Sequence, residues 1–327
     1  MSFTGDSGTL GALADVGEAD QVVGQRGRRR RRGKGFGRRR RREIGLAYLL
    51  ILPSLLLFGV FVFYPFFKNF YLGFYQTPPF PGLPSRYVGF DQYSDVLTSS
   101  DFLDSLKTTV GFALLTVPAG IVLGLGLAVL ANQQLRGVGI YRTIFSSTVA
   151  TSVAVAAVIF GTLFNPVVGL LPWIGIDPQP PILDNPDLAL LGVAIITIWQ
   201  TLGITFILMS SGLQAIPDEL HEAAQIDGAG PFRRFWRVTL PLLSPTIFFA
   251  VVVGSIFAFQ TFGQIDILTQ GGPLKRTNVL TYFIVKTLRQ DNNDGKAAVL
   301  AVALFSITFV LTLIQMRVLE KRVHYGR

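Results

Sequence analysis

Glu222-Ala-Ala-Gln-Ile-Asp-Gly228, continued by Ala-Gly-Pro-Phe-Arg-Arg-Phe-Trp-Arg-Val-Thr-Leu240-Pro241, is a polar interruption between two hydrophobic segments. The chain on either side of it reads as membrane, so this is where a soluble partner could grip the protein. Pro217 suits the first turn of a helix, and Asp218, Glu219 and Glu222 place negative charge near that helix's positive end. Leu220, Ala223 and Ala224 fall on one face at spacings of three and four, a narrow apolar stripe of mostly small side chains that lets another surface come close. Gly228 and Gly230 can take the backbone angles that end a helix, and Pro231 can start the next. That second helix carries Phe232, Phe235 and Trp236 on one side and Arg233, Arg234 and Arg237 elsewhere, until Leu240-Pro241 leads into lipid. The expectation is a short helix, a turn and a second short helix, forming a knob on the membrane surface.

Half of the 327 residues are hydrophobic and only 15% are charged, where an average soluble protein carries about a quarter. That balance describes an integral membrane protein rather than a globule with one anchor. Cysteine is absent, which removes disulfides and thiolate metal sites, and the two histidines, His221 and His324, lie in separate polar segments. The net charge of +9 is not spread over a domain: residues 1–43 hold twelve Lys or Arg against five acids. Arg28–Arg32 and Arg38–Arg42 are two arginine blocks, preceded by a small, polar stretch with few aromatics. Such a tail cannot bury enough apolar area to fold alone, and residues 1–43 are expected to be a disordered cytoplasmic tail. It reads as a topology anchor that meets anionic lipid headgroups, with no nucleic-acid partner. The apolar run after Arg42 is long enough to span and no small-residue cleavage site follows it, so a cleaved signal peptide is not expected.

A bilayer core of roughly 30 Å needs about 20 mostly apolar residues in a helix. Six stretches meet that need, at about 44–67, 108–131, 143–164, 188–212, 242–263 and 297–316. All are expected to be helices, because isolated strands leave backbone groups unpaired in lipid. Gly120-Ile-Val-Leu-Gly124-Leu-Gly126 permits close helix packing. With the N-terminus inside, the inner segments carry 21 Lys or Arg and the outer loops 8, which places both termini and the Glu222 loop in the cytoplasm. That margin rests on the tail. The outer loop from 68 to 107 contains the turn formers Gln76–Gly82 and then Tyr87–Tyr93, and is expected to pack as a small external cap. Leu268–Pro273 is a turn cluster, and Lys275–Lys296 has room for a further surface helix.

The polar stretch resembles the permease subunits of bacterial binding-protein-dependent ABC importers. Their cytoplasmic signature is Glu-Ala-Ala, three residues, Gly, nine residues, then Ile-x-Leu-Pro. Here it reads Glu222-Ala223-Ala224, Gly228 and Val238-Thr-Leu240-Pro241, with Val238 for Ile as the one departure. The resemblance covers residues 44–327 and leaves the arginine-rich tail outside. Within the family, Leu163-Phe-Asn-Pro166 with Gly169-Leu170, and the end Val318–Tyr325, resemble the permeases of glycerol-3-phosphate and glycerophosphodiester importers. Ala224–Phe235 and Gly271–Pro273 are shared with sugar permeases, so a sugar importer is the alternative.

The resemblance implies an all-α membrane protein with six transmembrane helices in the type I ABC importer permease fold, in a bacterial inner membrane. It implies that the loop of residues 213–241 sits as a coupling helix in a cleft of a cytoplasmic ATPase. Glu222 would pair with a basic group there, Ala223 and Ala224 would allow close approach, Gly228 would make the turn, and Asp227, Leu240 and Pro241 belong to the same coupling set. The sequence contains no Gly-x-x-x-x-Gly-Lys-Ser/Thr loop, so ATP and Mg are expected on two copies of a separate ATPase, with no cofactor in this chain. With one signature loop and six spans, the chain also needs a second, related permease and an external substrate-binding protein. By itself it is expected to catalyse nothing.

Polar side chains at membrane depth are costly and often mark pathways. Gln200, Thr201 and Thr205 in the fourth span, with Gln260, Thr261 and Gln264 in or near the fifth, are the candidate pathway residues. A secondary transporter is the more distant alternative, but it calls for charged relay residues, and no span holds an Asp, Glu or Lys in its middle. A membrane enzyme needs a nucleophile with its base or a metal cluster, and the sequence offers neither.

Overall fold

The computed structural model describes residues 36–78, 83–133, 137–176 and 178–319, with side chains from Glu43 onward. The tail through residue 35, Pro79–Gly82 of the expected turn, and the chain end from residue 320 with His324 lie outside the described residues. The chain divides into two units, residues 1–65 and 66–327.

In the first unit α1, Phe36–Phe58, runs into a π-helical stretch, Gly59–Phe63. Pro65 follows two residues later. It has no N–H for the carbonyl of Phe61, and its ring crowds that carbonyl, so a widened turn relieves the clash. The helix continues as α2, Tyr64–Leu72.

The second unit opens with the expected cap. Strands β1, Tyr75–Gln76, and β2, Arg86–Tyr87, pair antiparallel with Tyr75 opposite Tyr87, and α3, Asp91–Thr98, follows. Phe74 packs edge-on against Phe90 at 5.1 Å, and the buried Gln92 amide donates to the carbonyl of Gly73 at 3.1 Å. This short strand pair is the one departure from an all-helical chain among the described residues.

Ser99 then caps α4, Ser100–Ala131, by accepting from Phe102 N–H at 3.3 Å. At 32 residues α4 is about 48 Å long, well beyond a bilayer core of roughly 30 Å. The helix starts eight residues ahead of the apolar run expected at 108, because Ser99 and Asp101 begin it while the sequence is still polar.

The third apolar stretch is not one helix. It comprises α5, Val138–Ser147, a 3₁₀ turn, Thr148–Ala150, and α6, Val153–Leu163, with a 106° bend at the break. Ser152 caps α6 by accepting from Val155 N–H at 3.3 Å. Short α7, Leu170–Trp173, leads to α8, Ala189–Gln214. The chain continues as α9, Asp218–Ile226, α10, Pro231–Arg234, a second π-helical stretch, Phe235–Thr239, α11, Leu240–Leu242, and α12, Ser244–Phe259. This π-helical stretch also lies just ahead of a proline, Pro241, and the helix bends by 63° before α12. Last come α13, Gly263–Leu268, α14, Leu280–Arg289, and α15, Asp294–Leu319. Among the described residues, four helices are long and apolar enough to cross a membrane, and six segments if each bent pair counts as one.

The core lies between α4, α8, α12 and the segment after it, around the fully buried Phe112, Val193 and Ile265. A second cluster, around Met209 and Leu243, joins α8 to the start of α12. A third, around Leu280 and Leu300, ties α14 and α15 to α3 and α4. Of the three glycines expected to pack, only Gly124 does so: a Cβ there would sit 2.6 Å from Thr205 Cγ2, while Gly120 and Gly126 have open space. Gln315 of α15 donates to Ser255 of α12 at 2.9 Å, a buried polar tie that the apolar run around it conceals in the sequence. The surface helix expected after Lys275 is α14, and the turn cluster before it holds Gln270, Leu274 and Lys275 at positive φ. Lys275 reaches Asp101 of α4 at 2.8 Å, and the carboxylate holds its ammonium above the usual lysine range.

Candidate functional site

Two features stand out, the Glu222 loop and a largely apolar cavity with threonine and glutamine side chains in its wall. In the loop, Pro217 precedes α9 with Asp218 and Glu219 in the first turn, where their charge meets the helix's positive end. The helix closes in a Schellman arrangement: Ala229 N–H donates to the carbonyl of Ala224 and Gly228 N–H to that of Gln225, both at 2.9 Å. Gly228 has φ 74°, a left-handed angle that disfavours any other residue, and no atom lies within 4 Å of the Cβ it lacks. Its role is therefore conformational rather than one of close packing. Gly230 has φ −64° and simply precedes Pro231.

Glu222, Ala223, Asp227 and Gly228 are exposed and Ala224 is half-buried. No ion pair among the described residues involves Glu222. Phe232 and Trp236 are exposed side by side with ring centroids 6.0 Å apart, whereas Phe235 and Arg234 turn partly inward. Thr239 and Leu243 are buried, and Leu240 and Pro241 are half-buried at the entry to the bend. Leu243 packs close to Gly212 of α8, so the loop rests on the second core cluster rather than on a flexible stalk.

The cavity has a volume of about 540 Å³, within the range of small-molecule sites. Gln200, Thr201, Thr205, Gln260, Thr261 and Gln264 all line it, so one space gathers the six sequence-predicted pathway residues from α8, the turn after α12 and α13. Gln264 donates to the side-chain carbonyl of Gln200 at 2.7 Å, and Gln200 donates to the backbone carbonyl of Thr151 at 3.3 Å. Thr151 lies at the break between α5 and α6, so the amide chain joins three elements. Backbone freed from helical pairing at membrane depth is tolerable where protein groups satisfy it or a cavity receives it, and both hold here. Beside it, Thr148 Oγ1 accepts from Gly203 N–H of α8 at 2.8 Å.

Reading the third stretch as an unbroken span missed this break, and with it Thr151 and Val153 in the lining. The signal was present in Ser146-Ser-Thr-Val-Ala-Thr-Ser152, a run of hydroxyl side chains that compete for backbone groups. Thr116 and Gly120 of α4 were also missed, because small and hydroxyl residues serve helix packing equally well.

The chain is 41% identical over 286 residues to the sn-glycerol-3-phosphate transport system permease protein UgpA of Agrobacterium fabrum, covering 86% of this chain and 97% of that one. It is 39% identical to UgpA of Rhizobium meliloti, with the same coverage. It is 35% identical to UgpA of Escherichia coli O157:H7, covering 87% of this chain and 97% of that one. Among solved structures, the fold is shared with a bacterial ABC transporter involved in the import of the acidic polysaccharide alginate. That match has a TM-score of 0.75 and 22% identity and covers 86% of this chain and 96% of that chain. A bacterial alginate ABC transporter in complex with an alginate pentasaccharide-bound periplasmic protein matches with a TM-score of 0.71 and 22% identity, covering 84% of this chain and 94% of that chain. Residues 116–325 match the family described as binding-protein-dependent transport system inner membrane component, and the chain belongs to that family.

Proposed function

We propose that this chain forms half of the path by which glycerol-3-phosphate or glycerophosphodiesters enter a bacterial cell across the inner membrane. A second, related permease forms the other half, two copies of a cytoplasmic ATPase hold ATP and Mg, and an external binding protein delivers the solute. The polypeptide crosses six times, with each bent helix pair counted as one span and both termini in the cytoplasm. Residues 1–43 serve as an arginine-rich anchor at the inner leaflet.

The observation that carries this reading is the convergence of six polar residues on one cavity in a chain that runs nearly the full length of UgpA relatives. The Glu222 loop supplies the coupling. Exposed Glu222 and Ala223 leave one surface free for the ATPase cleft, and the buried Thr239 and Leu243 pass a displacement of the loop directly to α8 and α12. A charged pair at Glu222 sets register more than affinity.

A sugar importer is the second reading, and one observation favours it: among the described residues, no Asp, Glu, Lys, Arg or His lines the cavity. Uptake of labelled glycerol-3-phosphate by cells that carry the four components and lack their own route tests the assignment. Saturable uptake, competed by a glycerophosphodiester and not by sugars, supports it. Uptake of a sugar with no uptake of glycerol-3-phosphate transfers the assignment to the second reading.

A further inference from the structure

The cavity wall has a polarity of its own. Thr116, Thr197, Thr201, Thr205 and Thr261 each donate their hydroxyl hydrogen to the carbonyl four residues back in the same helix, at 2.8–3.1 Å. Their oxygens are left to face the cavity as acceptors. One N–H of each of two amides is likewise engaged, Gln264 on Gln200 and Gln200 on the carbonyl of Thr151. Among the described residues the wall thus carries no positive charge, and these five threonine hydroxyls have their hydrogens committed.

A phosphate group only accepts, carries negative charge, and is held in proteins by guanidinium, ammonium or clusters of N–H groups. Brought against this wall it would find no cation, and only spare amide N–H groups of the glutamines to set against its lost hydration. A hydroxyl both donates and accepts. It can give its hydrogen to a threonine oxygen or an amide carbonyl and take one from the exposed amide of Gln260.

Resting on the function proposed above, we propose that the two permeases divide the solute between them. This chain reads the hydroxyl-bearing glycerol part through Thr201, Thr205 and Gln260, and the second permease presents the cationic groups that carry the phosphate.

The test is a cycle of solutes against variants in proteoliposomes holding the complete importer. The solutes are glycerol-3-phosphate, propane-1,3-diol monophosphate, which lacks the middle hydroxyl, and a glycerophosphodiester, which keeps the hydroxyls but has less charge. Selection by the binding protein is common to wild type and variants and cancels in the ratios. In the wild type, removing the hydroxyl is expected to slow transport about tenfold, the worth of one or two net hydrogen bonds. In Thr201→Val and Gln260→Leu that ratio is expected to fall to about twofold or less, while the monophosphate-to-diester ratio stays at its wild-type value. Thr201→Ser, which keeps the hydroxyl, should retain the wild-type hydroxyl ratio and shows that loss of folding is not being read.

Variants that alter the monophosphate-to-diester ratio and leave the hydroxyl ratio alone would overturn the proposal, as would variants that move neither. Failure of the wild-type complex to take up glycerol-3-phosphate at all defeats the underlying function and the division of the solute with it.

Discussion

Gln264 and Gln200, 64 residues apart in the chain, are joined by a side-chain hydrogen bond of 2.7 Å that links the segment after α12 to the middle of α8. Through Gln200 the link extends to Thr151 at the break between α5 and α6. A polar bond in this position both satisfies buried groups and fixes three elements around one cavity.

Removing both members is expected to cost less than the two single removals summed. Gln264 is 6% exposed, so Gln200→Leu leaves its amide without that partner in a place water reaches poorly, at about 1–3 kcal/mol. The double variant Gln200→Leu with Gln264→Leu should be less destabilised than the two single changes summed. Thermal unfolding of the purified complex for the four forms measures this coupling, and strict additivity would mean the bond contributes nothing.

Gly228 and Gly230 lie two residues apart and are expected to respond differently. Gly228→Ala forces a side chain into φ 74°, at about 1–2 kcal/mol, although there is open space around it. Gly230→Ala, at φ −64°, should be nearly neutral. Solute-stimulated ATP hydrolysis is the readout, with Gly228→Ala impaired and Gly230→Ala close to wild type.

Along α4, Gly124 and Gly126 are expected to separate in the same manner. A methyl at Gly124 meets Thr205 Cγ2 at 2.6 Å and must push α4 away from α8, typically about 1–3 kcal/mol. Gly126→Ala enters open space and gains about 0.5–1 kcal/mol of helix preference. The amount of assembled complex and its unfolding temperature should fall for the first and hold or rise for the second.

The absence of cysteine makes the topology directly testable. A single Glu222→Cys, probed with a membrane-impermeant maleimide, should react in inverted vesicles stripped of the ATPase and stay unlabelled in intact cells. Labelling from the outside of intact cells reverses the orientation proposed here.

Much of this was legible in the sequence, for identifiable reasons. The Glu222 loop could be read because proline and glycine positions, charge at a helix start and a fixed spacing all agree, and α9 with its left-handed Gly228 follows from them. The six cavity-lining residues could be picked out because Gln and Thr are conspicuous in apolar runs. The break at Thr151 was hidden, since hydropathy averages across a bend that depends on Thr148 and Gln200 meeting backbone groups of another element. The extra turns of α4 were hidden for the opposite reason, because the helix begins in polar sequence outside the apolar window. The tie from Gln315 to Ser255 needed the packing of α15 on α12 to be seen.

The most direct test of the central claim is ATP hydrolysis and glycerol-3-phosphate uptake measured together in proteoliposomes that carry the complete importer with Glu222→Lys. The account predicts normal insertion of the chain, loss of solute-stimulated hydrolysis and uptake reduced by about tenfold or more, as expected for reversal of a buried interfacial charge. Stimulated hydrolysis and uptake at wild-type levels would contradict it.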